Sequence, residues 1–193
     1  MNKEHQTAVR QHILESTFRC LAENGSSSLS VRKIAQEADI TLSLVHYYFP
    51  NKEELLVAAA SYTLEKQLAS IREELHSIAT VTDRIKKIMS IVREQFTDTP
   101  WRKVYFDLLS MASWSPRMAQ EVKKMQDDLI ERIVNLCTNS FTDRMVKRAF
   151  VRTLLAILNG LALQVLNGAP EEEIKTAFGM AERAILSLLP QSD

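Results

Sequence analysis

A short stretch in the first third of the chain concentrates side chains that donate and accept hydrogen bonds. Thr41 and Ser43 carry hydroxyl groups, and an imidazole and two phenols follow at His46, Tyr47 and Tyr48. Groups of this kind bind phosphate oxygens through hydroxyls and base edges through paired donors and acceptors. If the stretch is an exposed helix, its chemistry suits the groove of a nucleic-acid duplex.

The residues around this stretch predict the helices that would hold it. Apolar residues recur at helical spacing almost throughout the chain, so we predict an all-α fold of about nine helices. A first helix is expected from about Glu4 to Asn24, and Gly25 fits its left-handed end. Ser30 can cap a second helix, and Thr41 can cap a third that ends at Phe49.

Two short helices separated by a break at Asp39 have the order of a helix-turn-helix. A unit this small cannot bury its own apolar faces, so it must pack on the first helix and on a long helix predicted from Lys52 to about His76. The start and outer face of the third helix then stay exposed. The residues expected to point inward are Ile34, Ala35, Ile40, Val45 and Phe49.

The segment from Leu29 to Leu56 resembles the TetR family of bacterial repressors. It contains a Ser-Val-x-x-Ile-Ala helix, an aromatic-rich third helix ending in Phe, and a Lys-Glu-x-Leu start of the next helix. Asp39 stands where the family usually has a turn glycine, and Ser43 replaces another glycine. Asp tolerates a left-handed turn at modest cost, so we expect the fold to persist while base preferences cannot be transferred. The resemblance covers about the first sixty residues; the remainder agrees in helicity and length.

By position, the resemblance implies two kinds of DNA contact. An arginine fork matches the paired acceptors of guanine, whereas hydroxyls and lysine suit phosphates. His46 stands where the family more often has a tyrosine. We assign it to DNA contact and leave open whether it binds a base or a phosphate. Two alternatives stay open: Arg32 is only part of a solvated helix face, or one tyrosine is half-buried core. The implied phosphate contacts are Ser30, Thr41, Tyr47, Tyr48 and Lys52, and the implied base contacts are Arg32, Leu42, Ser43 and Leu44.

We predict a DNA-binding domain over residues 1–52 and a helical domain for ligand binding and dimerisation over residues 53–193. The last two helices, at about 143–167 and 170–189, are the most hydrophobic. The resemblance implies that they pair with their copies in a homodimer, because a twofold operator needs a twofold partner. The alternative is an internal core without a partner. The predicted interface residues are Phe150, Leu154, Leu158, Leu161, Val165, Phe178 and Ile185.

The segment between the predicted DNA-binding domain and the dimer helices is rich in aromatic and sulfur side chains, which line small-molecule pockets. A plain hydrophobic core is the alternative. The stretch from Trp101 to Arg117 faintly resembles the choline-responsive BetI branch, whose aromatics would surround a quaternary cation. The family mechanism implied is a change in spacing of the DNA-binding heads when a small-molecule effector binds. The candidate pocket residues are Phe96, Trp101, Tyr105, Phe106, Leu109, Trp114, Met118, Met125 and Asn159.

Composition favours a cytoplasmic binding protein over other classes. Of 193 residues, 46% are hydrophobic and 25% charged, and the net charge is zero, which argues against indiscriminate binding to polyanions. Cys20 and Cys137 are far apart, which fits a reducing compartment. No uninterrupted apolar run approaches about twenty residues, so no membrane partner is expected.

Catalytic and metal-binding patterns are missing from the sequence. It contains no glycine-rich phosphate loop, no nucleophile elbow and no His/Cys/Asp cluster at catalytic or metal spacing. His5 and His12 lie seven residues apart and are expected to be surface groups. We therefore expect no enzyme activity, no metal and no cofactor. A helical adaptor without DNA binding is the alternative function.

Overall fold

A computed structural model describes residues 3–94, 100–137 and 141–190. Within these ranges the chain forms nine α-helices and no strand, which confirms the all-α prediction. The helices are α1 (Lys3–Asn24), α2 (Val31–Glu37), α3 (Leu42–Tyr48), α4 (Lys52–Leu75), α5 (Val81–Glu94), α6 (Pro100–Trp114), α7 (Pro116–Cys137), α8 (Arg144–Leu166) and α9 (Glu171–Ser187).

Packing divides the chain into two compact units. Unit 1 comprises Met1–Leu68 with Pro100–Gln126, and unit 2 comprises Ala69–Thr99 with Asp127–Asp193. The helix-turn-helix segment therefore shares a compact body with α6 and the first half of α7. The functional boundary at residue 52 stays a prediction.

Unit 1 is held by apolar side chains that α1, α4 and α6 bury together. Ile13 of α1, Leu55 and Leu56 of α4 and Leu108 of α6 all have zero exposure. Burial of such side chains contributes about 1.5–3 kcal/mol each. The short α2 and α3 add Ile34 and their own apolar faces to this core, as the sequence predicts.

Unit 2 has its own core, formed where α9 packs against both α8 and α5. Ile85 of α5, Leu154 of α8 and Ile185 of α9 are 0–1% exposed. Arg148 of α8 lies between Asp127 and Glu131 of α7 and forms an ion pair with each, which fixes α8 against α7. Unit 2 thus has a hydrophobic core formed by its own residues.

The burial pattern bears on the predicted dimer-interface residues, whose role in a dimer stays a prediction. Helices α8 and α9 are apolar on more than one side, and the sequence does not show which side packs inside the same chain. Other apolar side chains of the two helices stay on the surface: Leu163, Leu166, Met180 and Leu188 are 42–60% exposed. Leu161 and Val165 are half-buried. The predicted residues that their own chain buries are Phe150, Leu154, Leu158, Phe178 and Ile185.

Helix α8 bears on the expectation that no apolar segment is long enough to cross a membrane. By length and composition alone, Arg144–Leu166 would be able to span a membrane, and only 28% of its most apolar window is buried in the chain. Its inner face packs on α9, and Leu154 on that face is 1% exposed. Its outer face carries exposed apolar side chains, among them Leu163 and Leu166.

Candidate nucleic-acid interface

Helix α2 begins at a serine cap and turns its charged side chains outward. The Ser30 hydroxyl oxygen accepts a hydrogen bond from the backbone N–H of Lys33 at 3.2 Å, which stabilises the first turn. Ile34 and Ala35 are buried, whereas Arg32 and Lys33 are exposed. Lys33 donates through Nζ to the Asn24 side-chain oxygen at 2.8 Å, so Arg32 is the more available cation of the pair.

Asp39 makes the sharp turn between α2 and α3. Its φ is +50°, and among the residues that the structure describes no other non-glycine residue has a positive φ. The backbone N–H of Ile40 donates to the carbonyl of Ala35 at 3.0 Å and closes the turn. Asp39 thus adopts the left-handed conformation expected for it, at a cost of about 1–2 kcal/mol that the surrounding packing offsets.

Helix α3 is anchored at both ends and leaves its start accessible. Thr41 caps it, since its Oγ1 accepts from the backbone N–H of Leu44 at 3.3 Å. Val45 and Phe49 are 0% and 2% exposed and fix the helix to unit 1. The guanidinium carbon of Arg10 lies 5.1 Å from the Phe49 ring centre, which adds a cation–π contact to α1.

The residues predicted to meet DNA lie on the exposed side of α3. Tyr47 is 68% exposed, the highest value among the large apolar or aromatic residues of α3. Leu42 and Leu44 are half-buried, so each shows part of its side chain on the same surface. The exposed polar residues of this surface are Thr41, Ser43 and His46.

Tyr48 differs from its neighbour Tyr47. It is half-buried, and within the described residues its hydroxyl is buried without a hydrogen-bond partner. The two rings meet edge to face, with centres 5.1 Å apart. The burial fits the alternative that Tyr48 belongs partly to the core, and the unpaired hydroxyl makes that position costly.

Lys52, the first residue of α4, points back to the loop between α1 and α2. Its Nζ donates to the backbone carbonyl of Ser26 at 2.9 Å. Ser26 in turn donates to Asp107 of α6, from its backbone N–H at 2.6 Å and from its hydroxyl at 2.7 Å. Sequence reasoning missed Ser26 and Asp107, because no local pattern connects two residues 81 positions apart.

The candidate pocket residues of α6 and α7 pack into the core of unit 1. Trp101 and Tyr105 stack with ring centres 4.9 Å apart. The Tyr105 hydroxyl accepts a hydrogen bond from the side-chain nitrogen of Gln126 at 3.0 Å. Met118 and Met125 are 0% and 6% exposed. These residues form a continuous aromatic and sulfur cluster, and Leu109 packs against the same core.

Two other pocket candidates do not join this cluster, and a third lies outside the described residues. Trp114 is 88% exposed at the end of α6, so it does not line an enclosed site. Asn159 lies on α8 in unit 2, and Phe96 lies outside the described residues. Phe106 is half-buried beside Tyr105, with ring centres 5.8 Å apart.

Arg102, also on α6, was not singled out by the sequence pattern. Burial lowers the pKa of its guanidinium to about 10. The group therefore stays protonated at neutral pH. Within the described part of the chain, no three His, Cys, Asp or Glu side chains are grouped to hold a metal ion.

Comparison with known proteins gives this arrangement its context. Residues 13–59 match the family model "Bacterial regulatory proteins, tetR family". The nicotine-responsive transcriptional repressor HdnoR of Paenarthrobacter nicotinovorans is 26% identical over 167 residues, covering 80% of this chain and 82% of that protein. The transcriptional regulator BetI of Brucella canis is 21% identical over 184 residues, covering 93% and 90%.

A solved structure supports the same fold over nearly the whole chain. A transcriptional regulator from Saccharomonospora viridis in complex with choline superposes with a TM-score of 0.67 at 21% identity, covering 93% of this chain and 96% of that one. The matched N-terminal residues include α2, the Asp39 turn and α3. Residues 13–59 of this chain are thus similar to the tetR family of bacterial regulatory proteins, and the relatives matched over most of the chain are transcriptional regulators.

Proposed function

We propose that this protein is a homodimeric transcriptional repressor that binds a palindromic operator through α3 and leaves it when a small molecule binds. The observation that carries the proposal is the outer face of α3. Its polar residues are exposed while Val45 and Phe49 anchor it, so the helix presents a fixed recognition surface. An α-helix fits the major groove of B-form DNA.

The proposed contacts divide between the DNA backbone and the bases. Thr41 and Tyr47 at the two ends of the α3 face, with Ser30 at the start of α2, would bind phosphates. Lys52 would add a charge from the start of α4, close to the loop that its ammonium already contacts. Arg32 and Ser43 would reach base edges. Leu42 and Leu44 would touch thymine methyl groups, and the assignment of His46 stays open between base and phosphate.

The proposed dimer face is the exposed apolar side of α8 and α9. Leu163, Met180 and Leu188 supply large apolar side chains that their own chain leaves 45–60% exposed. At Gly160 and Gly179 an added Cβ would meet no atom of the chain within 4 Å, so both glycines open onto space. Small residues among large apolar ones permit a close helix approach. A second copy would cover the apolar face of α8 and align two recognition helices about 34–36 Å apart.

The aromatic cluster of α6 and α7 is the proposed effector region. Two relatives support a nitrogen-containing effector, since one is named nicotine-responsive and another was crystallised with choline. Trp101 and Tyr105 would supply ring faces for such a cation. The effector releases DNA only if it binds the two dimer states with different affinity, and a few kcal/mol of difference suffices.

The competing classes have less support. The family consists of transcriptional regulators, and the relatives are regulators, so an enzyme is disfavoured. A helical adaptor that has lost DNA binding would not need an exposed polar face on α3. A cytoplasmic location follows from the proposed role, because the operator is there.

The test is footprinting of the purified protein on the intergenic DNA next to its own gene. We expect protection of a palindrome with half-sites one helical turn apart or a multiple of it. A dimer that shows no preference for any genomic palindrome over random duplex, at low salt and without effector, would leave the adaptor as the better function.

A further inference from the structure

Unit 2 contains a cleft of about 420 Å³ whose lining carries an excess of positive charge. It lies where the ends of α4 and α7 meet the start of α5. Arg72, His76, Arg84 and Arg132 all line it, and no carboxylate is found among the described residues of its lining. A volume of this size falls within the range of small-molecule sites, about 300–1,000 Å³.

Arg84 is held rigidly at the cleft wall. Its Nε donates to the backbone carbonyl of Ile78 at 2.7 Å, and one of its terminal nitrogens donates to the carbonyl of Leu136 at 3.2 Å. A guanidinium has five N–H groups, so two bonds to the backbone leave donors for a ligand. A side chain fixed in this way loses little entropy when it binds.

Part of the positive charge in the cleft has a purely structural role. Helices α4 and α7 end beside the cleft, and each helix end carries about half a negative charge that Arg or His stabilises. Asp128 accepts from Nε of Arg132 at 2.7 Å and balances that residue. Arg72 and Arg84 still bring two full charges against the two partial ones. The cleft therefore keeps a net positive character.

Two leucines also line the cleft. Leu75 is 2% exposed, and Leu136 is half-buried. A cavity lined by arginines and leucines matches a molecule with an anionic end and a carbon end. Arginine binds phosphate and carboxylate oxygens in pairs, through two parallel N–H groups.

We propose that this cleft binds a small organic anion, with its phosphate or carboxylate group on Arg72 and Arg84 and its carbon part against Leu75 and Leu136. The site lies wholly in unit 2 and shares no residue with the aromatic cluster of α6. It would give the protein a second ligand besides the proposed effector. The inference does not depend on DNA binding, so its test can fail or succeed separately.

The experiment is isothermal titration calorimetry of the full-length protein at constant ionic strength. The probes are phenyl phosphate, benzoate and inorganic phosphate, with phenol as the uncharged control. We expect phenyl phosphate to bind more tightly than inorganic phosphate, and phenol not to bind. Comparing the affinities of benzoate and phenyl phosphate then shows whether the cleft prefers a carboxylate or a phosphate group.

Three variants test the location of the site. Arg72→Gln removes an exposed charge and should weaken phenyl phosphate binding at least about tenfold, because a charged hydrogen-bond donor to the anion is lost. Arg84→Gln should have the same effect; Arg72→Gln keeps the test decisive if Arg84→Gln fails to fold. Arg93→Gln removes an exposed charge of α5 outside the cleft and should leave the affinity unchanged. No binding of any probe, or equal losses in Arg72→Gln and Arg93→Gln, would overturn the proposal.

Discussion

Asp107 of α6 holds Ser26 of the α1–α2 loop through two hydrogen bonds of 2.6 and 2.7 Å, one to its backbone N–H and one to its hydroxyl. Ser26 is 5% exposed, and its carbonyl accepts from Lys52. The carboxylate thereby connects α6, which carries the proposed effector residues, to the loop that precedes α2. The Gly25 backbone beside it has φ +70°, a conformation that favours glycine, so the loop geometry is tightly defined.

Asp107→Ala should destabilise the protein by about 1–3 kcal/mol, because it leaves a buried N–H and a buried hydroxyl of Ser26 without their acceptor. The measurement is the free energy of unfolding in urea, read by circular dichroism. Glu23→Ala removes an exposed carboxylate of α1 and is the control, with an expected change within about 0.5 kcal/mol. Equal stability of the two variants would mean that the Ser26 bonds contribute nothing.

Arg32→Ala should relax sequence preference at one base position of the operator, by about 1–3 kcal/mol. The reason is that an exposed guanidinium on α2 discriminates guanine through its paired acceptors. Binding to a set of operators with single-base changes measures the effect. If affinity falls by the same factor for every operator in the set, Arg32 contacts phosphate and its assignment to a base is wrong.

Lys52→Ala should weaken binding to all DNA sequences alike and lower the salt dependence of affinity by about one unit of slope. In the proposed complex the charge at the start of α4 would neutralise a phosphate, and a phosphate contact carries no sequence information. Lys123→Ala removes an exposed charge of α7 and should leave the slope unchanged. A loss of preference for one base position would contradict the phosphate assignment.

The sequence predicted the parts of the site that depend on near neighbours. The Ser30 and Thr41 caps bond to backbone groups three residues away, and the Asp39 turn closes within five residues. Such contacts are visible as patterns of adjacent residue types. The Ser26–Asp107 contact was not predictable, because the two residues meet only after α1 and α6 have packed together.

The sequence also does not show which side of an apolar helix packs inside the chain. Helix α8 has hydrophobic residues around most of its surface, so the spacing of Leu154 and Leu158 fits a core face and a partner face equally well. The structure buries both at 1% and 8% exposure and leaves Leu163 at 45%. The difference is set by where α9 lies, which is a property of tertiary packing.

The ion pair between Glu15 of α1 and Lys66 of α4 should make stability depend on pH in the acid range. Lys66 Nζ lies 2.6 Å from the carboxylate, and Tyr62 donates to the same oxygen at 3.1 Å. The hydrogen bond from Lys66 is the main cause that lowers the Glu15 pKa below its ordinary 4.5. The pair thus stabilises the folded state above that ordinary value, and the contribution is lost as pH falls through the lower folded pKa.

Glu15→Gln should therefore reduce the loss of stability that acid causes below about pH 4.5, with a small effect at neutral pH because the pair is largely exposed. Unfolding free energies measured from pH 3 to pH 7 provide the test. Lys66→Met should give a similar flattening, since it removes the cation that lowers the Glu15 pKa. An unchanged pH profile in both variants would show that the pair does not contribute.

Leu163→Glu should convert the proposed dimer into a monomer, because it buries a charge in an apolar face between two copies. The side chain is 45% exposed in the single chain, so the fold of the monomer should survive. Sedimentation velocity measures the mass, and circular dichroism confirms helix content. Trp114→Glu changes a residue that is 88% exposed on α6 and should leave the dimer intact.

A substitution at Gly160 separates a close helix contact from a general apolar attraction. Gly160→Ala adds a Cβ that meets no atom of its own chain within 4 Å, so it should stabilise the isolated chain by about 0.5–1 kcal/mol through helix propensity. Gly160→Leu retains the apolar character but fills the space that a second α8 would occupy, so dimer affinity should fall. A dimer that tolerates Gly160→Leu yet dissociates with Leu163→Glu would place the helix crossing away from Gly160.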